Sequence, residues 1–223
     1  MNFRISGEKI RISRSVKYLG VIPDENLEWK KHIDTLSLKL NRAAGLLSKV
    51  RHYVPKYLLR TIYYSIFNSH LIYTCQVWGQ KENTIKKLSE IQDKAIRIIN
   101  FKERNHPVNE LYLDNKILKL HDYIKLSNCL FIKNILNDNH LTIFKNVFEK
   151  STQAHSYTTR HAVRNSVVLP RPKTDQYGKF SVTYQTASLW NDLQNKLGIN
   201  MMEENNAKRK AALVKYYLDK YTN

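Results

Sequence analysis

The chain has 223 residues, 42% of them apolar and 11% aromatic, with only six glycines and five prolines; this suits one large or two small folded domains and excludes disorder and a loop-rich β architecture. Lys and Arg number 37 against 19 Asp and Glu, a formal charge of +18. The excess is spread over residues 1–60 (13 basic, 5 acidic), 61–150 (13 and 9) and 151–223 (11 and 5), a pattern that points to a polyanion, nucleic acid first, ahead of a merely lysine-rich surface or an anionic membrane.

Residues 2–22 alternate: Phe3 and Ile5, a Ser6-Gly7 turn, Ile10 and Ile12, then Val16, Tyr18 and Val21. Period two around a glycine predicts a hairpin plus a third strand. Pro23-Asp24-Glu25-Asn26 reads as a turn. A first amphipathic helix carries Ile33, Leu36, Leu40, Ala44, Leu47 and Val50, and His52 to Pro55 breaks it. A second is expected over 56–78, with Leu59, Ile62, Tyr63, Ile66, Phe67 and Leu71 on its apolar face and Gly79 as C-cap. A third covers 82–101 through Ile85, Leu88, Ile91, Ala95, Ile98 and Ile99, followed by a short helix near 109–114 and a longer one near 120–137. Residues 151–165 are polar and poor in helix formers; 167–170 and 179–184 read as short strands, and 187–197 and 205–221 as closing helices. The expected fold is therefore mainly α with a small N-terminal β element: a helical bundle plus a small α+β C-terminal region. No internal repeat is present.

Signals of catalysis are sparse. Two-metal phosphoryl transfer needs converging carboxylates, and the chain has no Asp-Asp pair; Asp24-Glu25 and Glu203-Glu204 read as solvated charges. His70 with Cys75, and His121 with Cys129, do not make the two close pairs of a zinc site. The two cysteines read as buried thiols. No Gly-rich phosphate loop or Gly-x-Ser-x-Gly elbow occurs. There is no secretory leader pattern and no uninterrupted apolar run long enough to span a bilayer, so the expected location is intracellular, nucleus or cytoplasm.

Basic residues interleaved with aromatics are the positive signal. Lys49, Arg51, His52, Tyr53, Lys56, Tyr57 and Arg60 form one run between the first two helices. Cations neutralise phosphates and rings stack on bases; the competing reading is a solvated helix end whose tyrosines pack inward. Arg171, Lys173, Tyr177, Lys179 and Phe180 form a similar run. Lys208-Arg209-Lys210 reads first as a solvated helix face, second as a nuclear signal.

The ordered motifs carry a resemblance. Lys17-Tyr18-Leu19-Gly20-Val21, Asp24-Glu25-Asn26-Leu27 and Trp29-Lys30-x-His32-Ile33 resemble the segment that follows the catalytic palm in LINE-type, jockey-like non-LTR retrotransposon reverse transcriptases. Leu46-Leu47-Ser48-Lys49-Val50-Arg51, Pro55, Tyr63-Tyr64-Ser65, Tyr73-x-Cys75-x-Val77-Trp78-Gly79 and Gln92-x-Lys94-Ala95-Ile96-Arg97-Ile98-Ile99 follow in the family's order. Thr159-Arg160, Leu169-Pro170, Tyr177-Gly178-Lys179-Phe180-Ser181 and Leu189-Trp190-Asn191 complete it; Gln194 stands where a proline commonly occurs.

The resemblance implies a C-terminal fragment of such an RNA-directed DNA polymerase: a palm-edge β hairpin with a primer-grip-like strand over 1–28, a helical thumb over 29–150 and an α+β region over 151–223. It implies primer-grip roles for Lys17, Tyr18, Leu19 and Gly20. Nucleic-acid contacts are expected at Lys49, Arg51, Tyr53, Lys56, Tyr57, Arg60, Arg171, Lys173 and Lys179. The family's catalytic aspartates and their Mg2+ belong upstream of residue 1, so this chain is expected to hold no metal or other cofactor and to be inactive alone. RNA or an RNA–DNA hybrid backbone is the expected partner, with no membrane and no small-molecule substrate, and an unpaired strand edge favours self-association. Two alternatives stay open: a helical module that binds acidic partners, and a subunit working beside a separately encoded palm.

Overall fold

Ile33, Leu36, Leu40, Ala44 and Leu47 recur at three- and four-residue spacing, and all five are buried along one side of α1, Lys30–Val50. The structure, a computed structural model, describes residues 4–6, 8–9, 13–137, 147–151, 166–197 and 206–222. The entry to α1 is fixed from upstream. The Asp24 carboxylate accepts the backbone N–H groups of Asn26 (3.2 Å), Glu28 (2.9 Å) and Trp29 (2.6 Å). Expected as a free surface charge, Asp24 is instead the anchor of the turn that starts the helix.

N-terminal to this turn, β1 (Arg4–Ile5) pairs antiparallel with β2 (Glu8–Lys9). The third strand expected through 16–21 is replaced by a tight hairpin. Tyr18 and Val21 exchange two backbone hydrogen bonds of 2.9 Å, and Leu19 (φ 44°) and Gly20 (φ 85°) occupy the left-handed region between them. The alternation misleads because Val16, Tyr18 and Leu19 are all exposed. Only Val21 packs on the core.

The helix expected over 56–78 is divided. It comprises α2 (Lys56–Ile62), a π-helical turn (Tyr63–Asn68), α3 (Ser69–Ile72) and, after a break, α4 (Cys75–Trp78). The cause is visible in its buried side: Leu59, Tyr63, Phe67, Leu71 and Cys75 repeat every four residues, each at most 1% exposed. At 3.6 residues per turn such a repeat drifts by about 40° per step. The wider π turn cancels part of that drift and keeps the row facing inward. The break at Tyr73–Thr74, with Thr74 at φ 50°, is closed by the Trp78 indole, which donates to the Tyr73 carbonyl at 3.1 Å.

α5 (Glu82–Ile99) lies along α1. Gln92, buried at its centre, donates to the Leu118 carbonyl (3.0 Å) and the Tyr63 hydroxyl (3.2 Å), and its Oε1 accepts from Leu120 N (2.8 Å). One amide thus ties the central bundle to α6 (Asn109–Asn115) and α7 (Leu120–Leu136) through the segment between them. α7 is a shared wall. Leu120 and Ile124 belong to the first core with α1–α5; Cys129, Ile132 and Ile135 belong to a second with Trp190, Leu193, Leu213 and Tyr217.

That second core holds α8 (Val182–Leu197) and α9 (Asn206–Asp219). The mainly helical expectation holds; the two C-terminal strands do not form. Among the described residues the only pairing here is an isolated bridge between Lys150 and Val167. The side chain of Asn191 completes it, accepting from Val167 N (3.0 Å) and donating to Val167 O (2.9 Å). Residues 179–184 are the end of a π-helical turn, Asp175–Lys179, and the start of α8. Hydroxyls decide this: Thr174 accepts from Tyr177 N and Ser181 from Tyr184 N, which satisfies helix-start donors that a strand would have paired sideways. Lys208 and Lys210 are exposed but Arg209 is buried, so that triplet is not one solvated face. Thr159-Arg160 and Glu203-Glu204 lie outside the described residues.

Candidate nucleic-acid interface

α1 ends at Val50, and after a short turn Pro55 opens α2 from extended backbone (φ −67°, ψ 155°). Leu47 and Leu59 anchor its two sides, fully buried, and Val50 and Ile62 pack partly against them. Between them Val54 also packs on the core, while His52, Tyr53, Lys56 and Tyr57 point outward. Tyr53 is 88% exposed and Tyr57 73%, which removes the inward-packing reading. Lys49, Lys56 and Arg60 are exposed and Arg51 half-buried.

Arg51 lies over the Phe101 ring at 5.5 Å and hydrogen-bonds through Nε to His52 (3.2 Å); Arg60 lies over Tyr64 at 5.8 Å. Among the described residues, none of Lys49, Arg51, Lys56 and Arg60 pairs with a carboxylate. Arg51 and Arg60 are held by ring faces, at about 0.5–1 kcal/mol each for exposed pairs, and keep their charge available. Phe101 and Tyr64 were missed in the sequence. Phe101 is remote from Arg51 in the chain, and its one local signal is a large ring directly after the last buried turn of α5.

The primer-grip-like residues sit elsewhere. Lys17, Tyr18 and Leu19 are exposed on the hairpin. Gly20 rests on the Tyr73 ring, where an added Cβ would come 3.2 Å from the ring. The Tyr73 hydroxyl donates to the Leu19 carbonyl at 2.7 Å. The pocket under this hairpin includes Lys39, His70 and His32. Burial holds the His32 imidazole below the usual histidine range, and the nearby Lys39 adds to that, so His32 is neutral and part of the packing between Trp29 and Trp78.

The second predicted run is not brought to the first. Arg171, Lys173 and Lys179 are exposed, but Tyr177 and Phe180 line a groove with Leu27, Trp29 and Lys81, at the opposite end of α1 from Arg51. A 21-residue helix puts those ends about 30 Å apart. Lys179 is already paired with Asp175 at 2.9 Å; that hydrogen bond, and then the charge behind it, raises its pKa.

Several quoted motifs prove structural. Gly79 is required because a Cβ there would lie 2.5 Å from both the Cys75 carbonyl and Ile124 Cδ1. Trp78, Gln92, Trp190 and Asn191 are framework residues of the kind described above. Among the described residues no three of His, Cys, Asp and Glu gather as an ion-holding group, and no helix is long and apolar enough to cross a membrane.

No family model matches the chain, and no solved structure matches it. The chain is similar to a protein of Drosophila melanogaster named "Probable RNA-directed DNA polymerase from transposon X-element", at 27% identity over 165 residues. The match covers 71% of this chain and 15% of that protein, which supports a distant, reverse-transcriptase-like relationship.

Proposed function

We propose that this chain is the thumb-containing, nucleic-acid-gripping part of a LINE-type retrotransposon reverse transcriptase, and that it binds an RNA–DNA hybrid or structured RNA through its backbone without contributing the ion-holding aspartates. The observation that carries the reading is the loop between α1 and α2: four cations with no carboxylate partner among the described residues, set among rings that are 73% and 88% exposed. Such a surface recognises phosphate and sugar, not sequence. The similarity to a transposon polymerase and the charge of +18 support the same reading.

The test replaces Arg51, Lys56 and Arg60 together with Ala and measures hybrid-duplex binding across salt. Affinity falls for every sequence, and the log–log salt slope drops by up to about three units, near 0.9 per lost phosphate contact. Lys86→Ala with Lys94→Ala on α5, both exposed and, among the described residues, unpaired with carboxylates, is the control. Lys87 is unsuitable because it pairs with Asp34 at 2.7 Å. Equal losses in the two variants would mean diffuse binding, and an unchanged slope in the loop variant would end the assignment of the grip to this loop.

A further inference from the structure

A groove between the helical bundle and α8 is left unused by the loop. At one end Leu27, Val77 and Lys81 face Tyr177 and Phe180. The middle is a pocket of about 310 Å3 walled by Phe180, Gln80, Asn128, Gln185, Glu82 and Lys125. The far end, about 200 Å3, gathers Lys125, Lys196 and Lys220 against a single carboxylate, Asp192. Gln80 and Phe180 are shared by the first two parts, and Lys125, Gln185 and Leu189 by the last two, so the groove is continuous.

Its chemistry changes along its length. Tyr177 and Phe180 expose 61% and 40% of their surface at one end. Lys125 of α7, Lys196 of α8 and Lys220, just past the end of α9, meet at the other. Between them Asn128, 2% exposed, donates to Gln80 at 3.2 Å while its Oδ1 has no partner. A buried acceptor without a donor is uncommon, and Asn128 is one of the residues that line the pocket.

We propose that this groove binds one unpaired nucleotide of a single-stranded nucleic acid, its base in the Phe180–Asn128 pocket and its phosphate among Lys125, Lys196 and Lys220. A ring face, an amide acceptor and a cluster of cations in sequence are the three things a nucleotide unit presents partners for. A base that enters such a pocket must be out of its stack, so the occupant is a single strand and not the hybrid held by the loop. Burial lowers the Lys125 pKa, and Lys220 and Lys196 add to this while Asp122 and Glu82 oppose it; an arriving phosphate relieves the crowding of these cations. The inference rests on the reading that the chain binds nucleic acid, but it uses residues separate from the α1–α2 loop.

The experiment uses the full chain, a 12-nucleotide single-stranded RNA and the RNA–DNA hybrid of the same sequence. Phe180→Ala is expected to weaken single-strand binding about tenfold. Lys196→Gln with Lys220→Gln should lower the single-strand salt slope by about 1.4, near 0.7 per contact. Hybrid binding should stay within about twofold, as expected for sites that do not share contacts. A 4-thiouridine RNA photocrosslinked to the unmodified chain reads the site without mutation, and the expected adduct is on the tryptic peptide 180–196. Unchanged single-strand affinity in both variants, or adducts confined to peptides that do not line the pocket, would overturn the proposal. Retained dependence of hybrid binding on Arg51, Lys56 and Arg60 would leave the loop reading standing. If the unmodified chain binds neither probe, both readings fall. Competition by AMP at the oligonucleotide's own Kd would overturn the strand assignment in favour of a free nucleotide.

Discussion

Between Lys49 and Arg60 the chain turns its rings outward; between Thr74 and Gly79 it turns the Trp78 ring in. Tyr53 and Tyr57 stand in solvent beside cations that have no carboxylate partner among the described residues, whereas Trp78 and Cys75 are at most 1% exposed and Gly79 has no space for a methyl group. Both stretches carry motifs of the same resemblance. A recognisable motif is therefore no guide to whether a residue meets a ligand. The second stretch closes a helix break and packs Gly79 against α7, while the first leaves its rings and cations in solvent. The comparison can be broken at several points.

The largest effect should come from Trp78→Ala. Removing a fully buried indole costs about 3–5 kcal/mol, and its hydrogen bond to the Tyr73 carbonyl, which holds the break between α3 and α4, goes with it. A denaturant titration should show the midpoint collapse. A stable Trp78→Ala protein that has lost hybrid binding would instead make this stretch part of the interface.

Next is Gln92→Leu. The shape is nearly kept, but Leu120 N–H, the Leu118 carbonyl and the Tyr63 hydroxyl lose their shared partner. A buried polar group left unpaired costs about 1–3 kcal/mol, so the thermal midpoint should fall clearly with binding per folded molecule unchanged. A variant as stable as the parent would show that the clamp between bundle and α7 is redundant.

The third test is of pH. Burial alone would push the Asp122 carboxyl up, but hydrogen bonds from His121 and from Tyr221, the latter 2.6 Å long, bring it below the usual 3.8. A carboxyl depressed in the fold contributes stability above its unfolded value and loses it as pH falls through the folded one. The protein should hold its stability down to about pH 4 and weaken below it, and Asp122→Asn should be less stable at pH 7 with a flatter acid limb. Parallel acid limbs in the two proteins would remove Asp122 from the account.

The three long helices α1, α5 and α7 were legible because their apolar residues keep the helical period over many turns. The divided α2–α4 segment was not, since a row spaced strictly by four reads as an ordinary helix until its accumulated drift is counted. Residues 179–184 looked like a strand because Phe180, Val182 and Tyr184 alternate; the two hydroxyls that cap helical turns there outweigh the alternation. Of the candidate site, the cations of the α1–α2 loop could be read from local composition. Phe101, which holds Arg51, and the convergence of Lys125, Lys196 and Lys220 could not, because segments distant in sequence supply them.

The smallest effect on stability, and the most telling, should come from the double variant Tyr53→Ser, Tyr57→Ser. Both rings are largely in water, and exposed substitutions away from special contacts shift stability by about 0.5 kcal/mol or less. The thermal midpoint should therefore barely move. Hybrid binding should fall only modestly. If each ring covers roughly 30 Å2 of sugar edge, burial at about 25 cal/mol per Å2 gives ~0.8 kcal/mol, about a fourfold change per ring. The salt slope should stay where it was, because no phosphate contact is removed. That separates the tyrosines from Arg51, Lys56 and Arg60, whose loss lowers the slope. Phe at both positions should restore affinity, since the ring and not the hydroxyl makes the contact. A midpoint that falls as it does for Trp78→Ala would place these rings in the framework and erase the difference between the two stretches. An unchanged affinity would leave the loop as a purely electrostatic grip, with the cations alone carrying it.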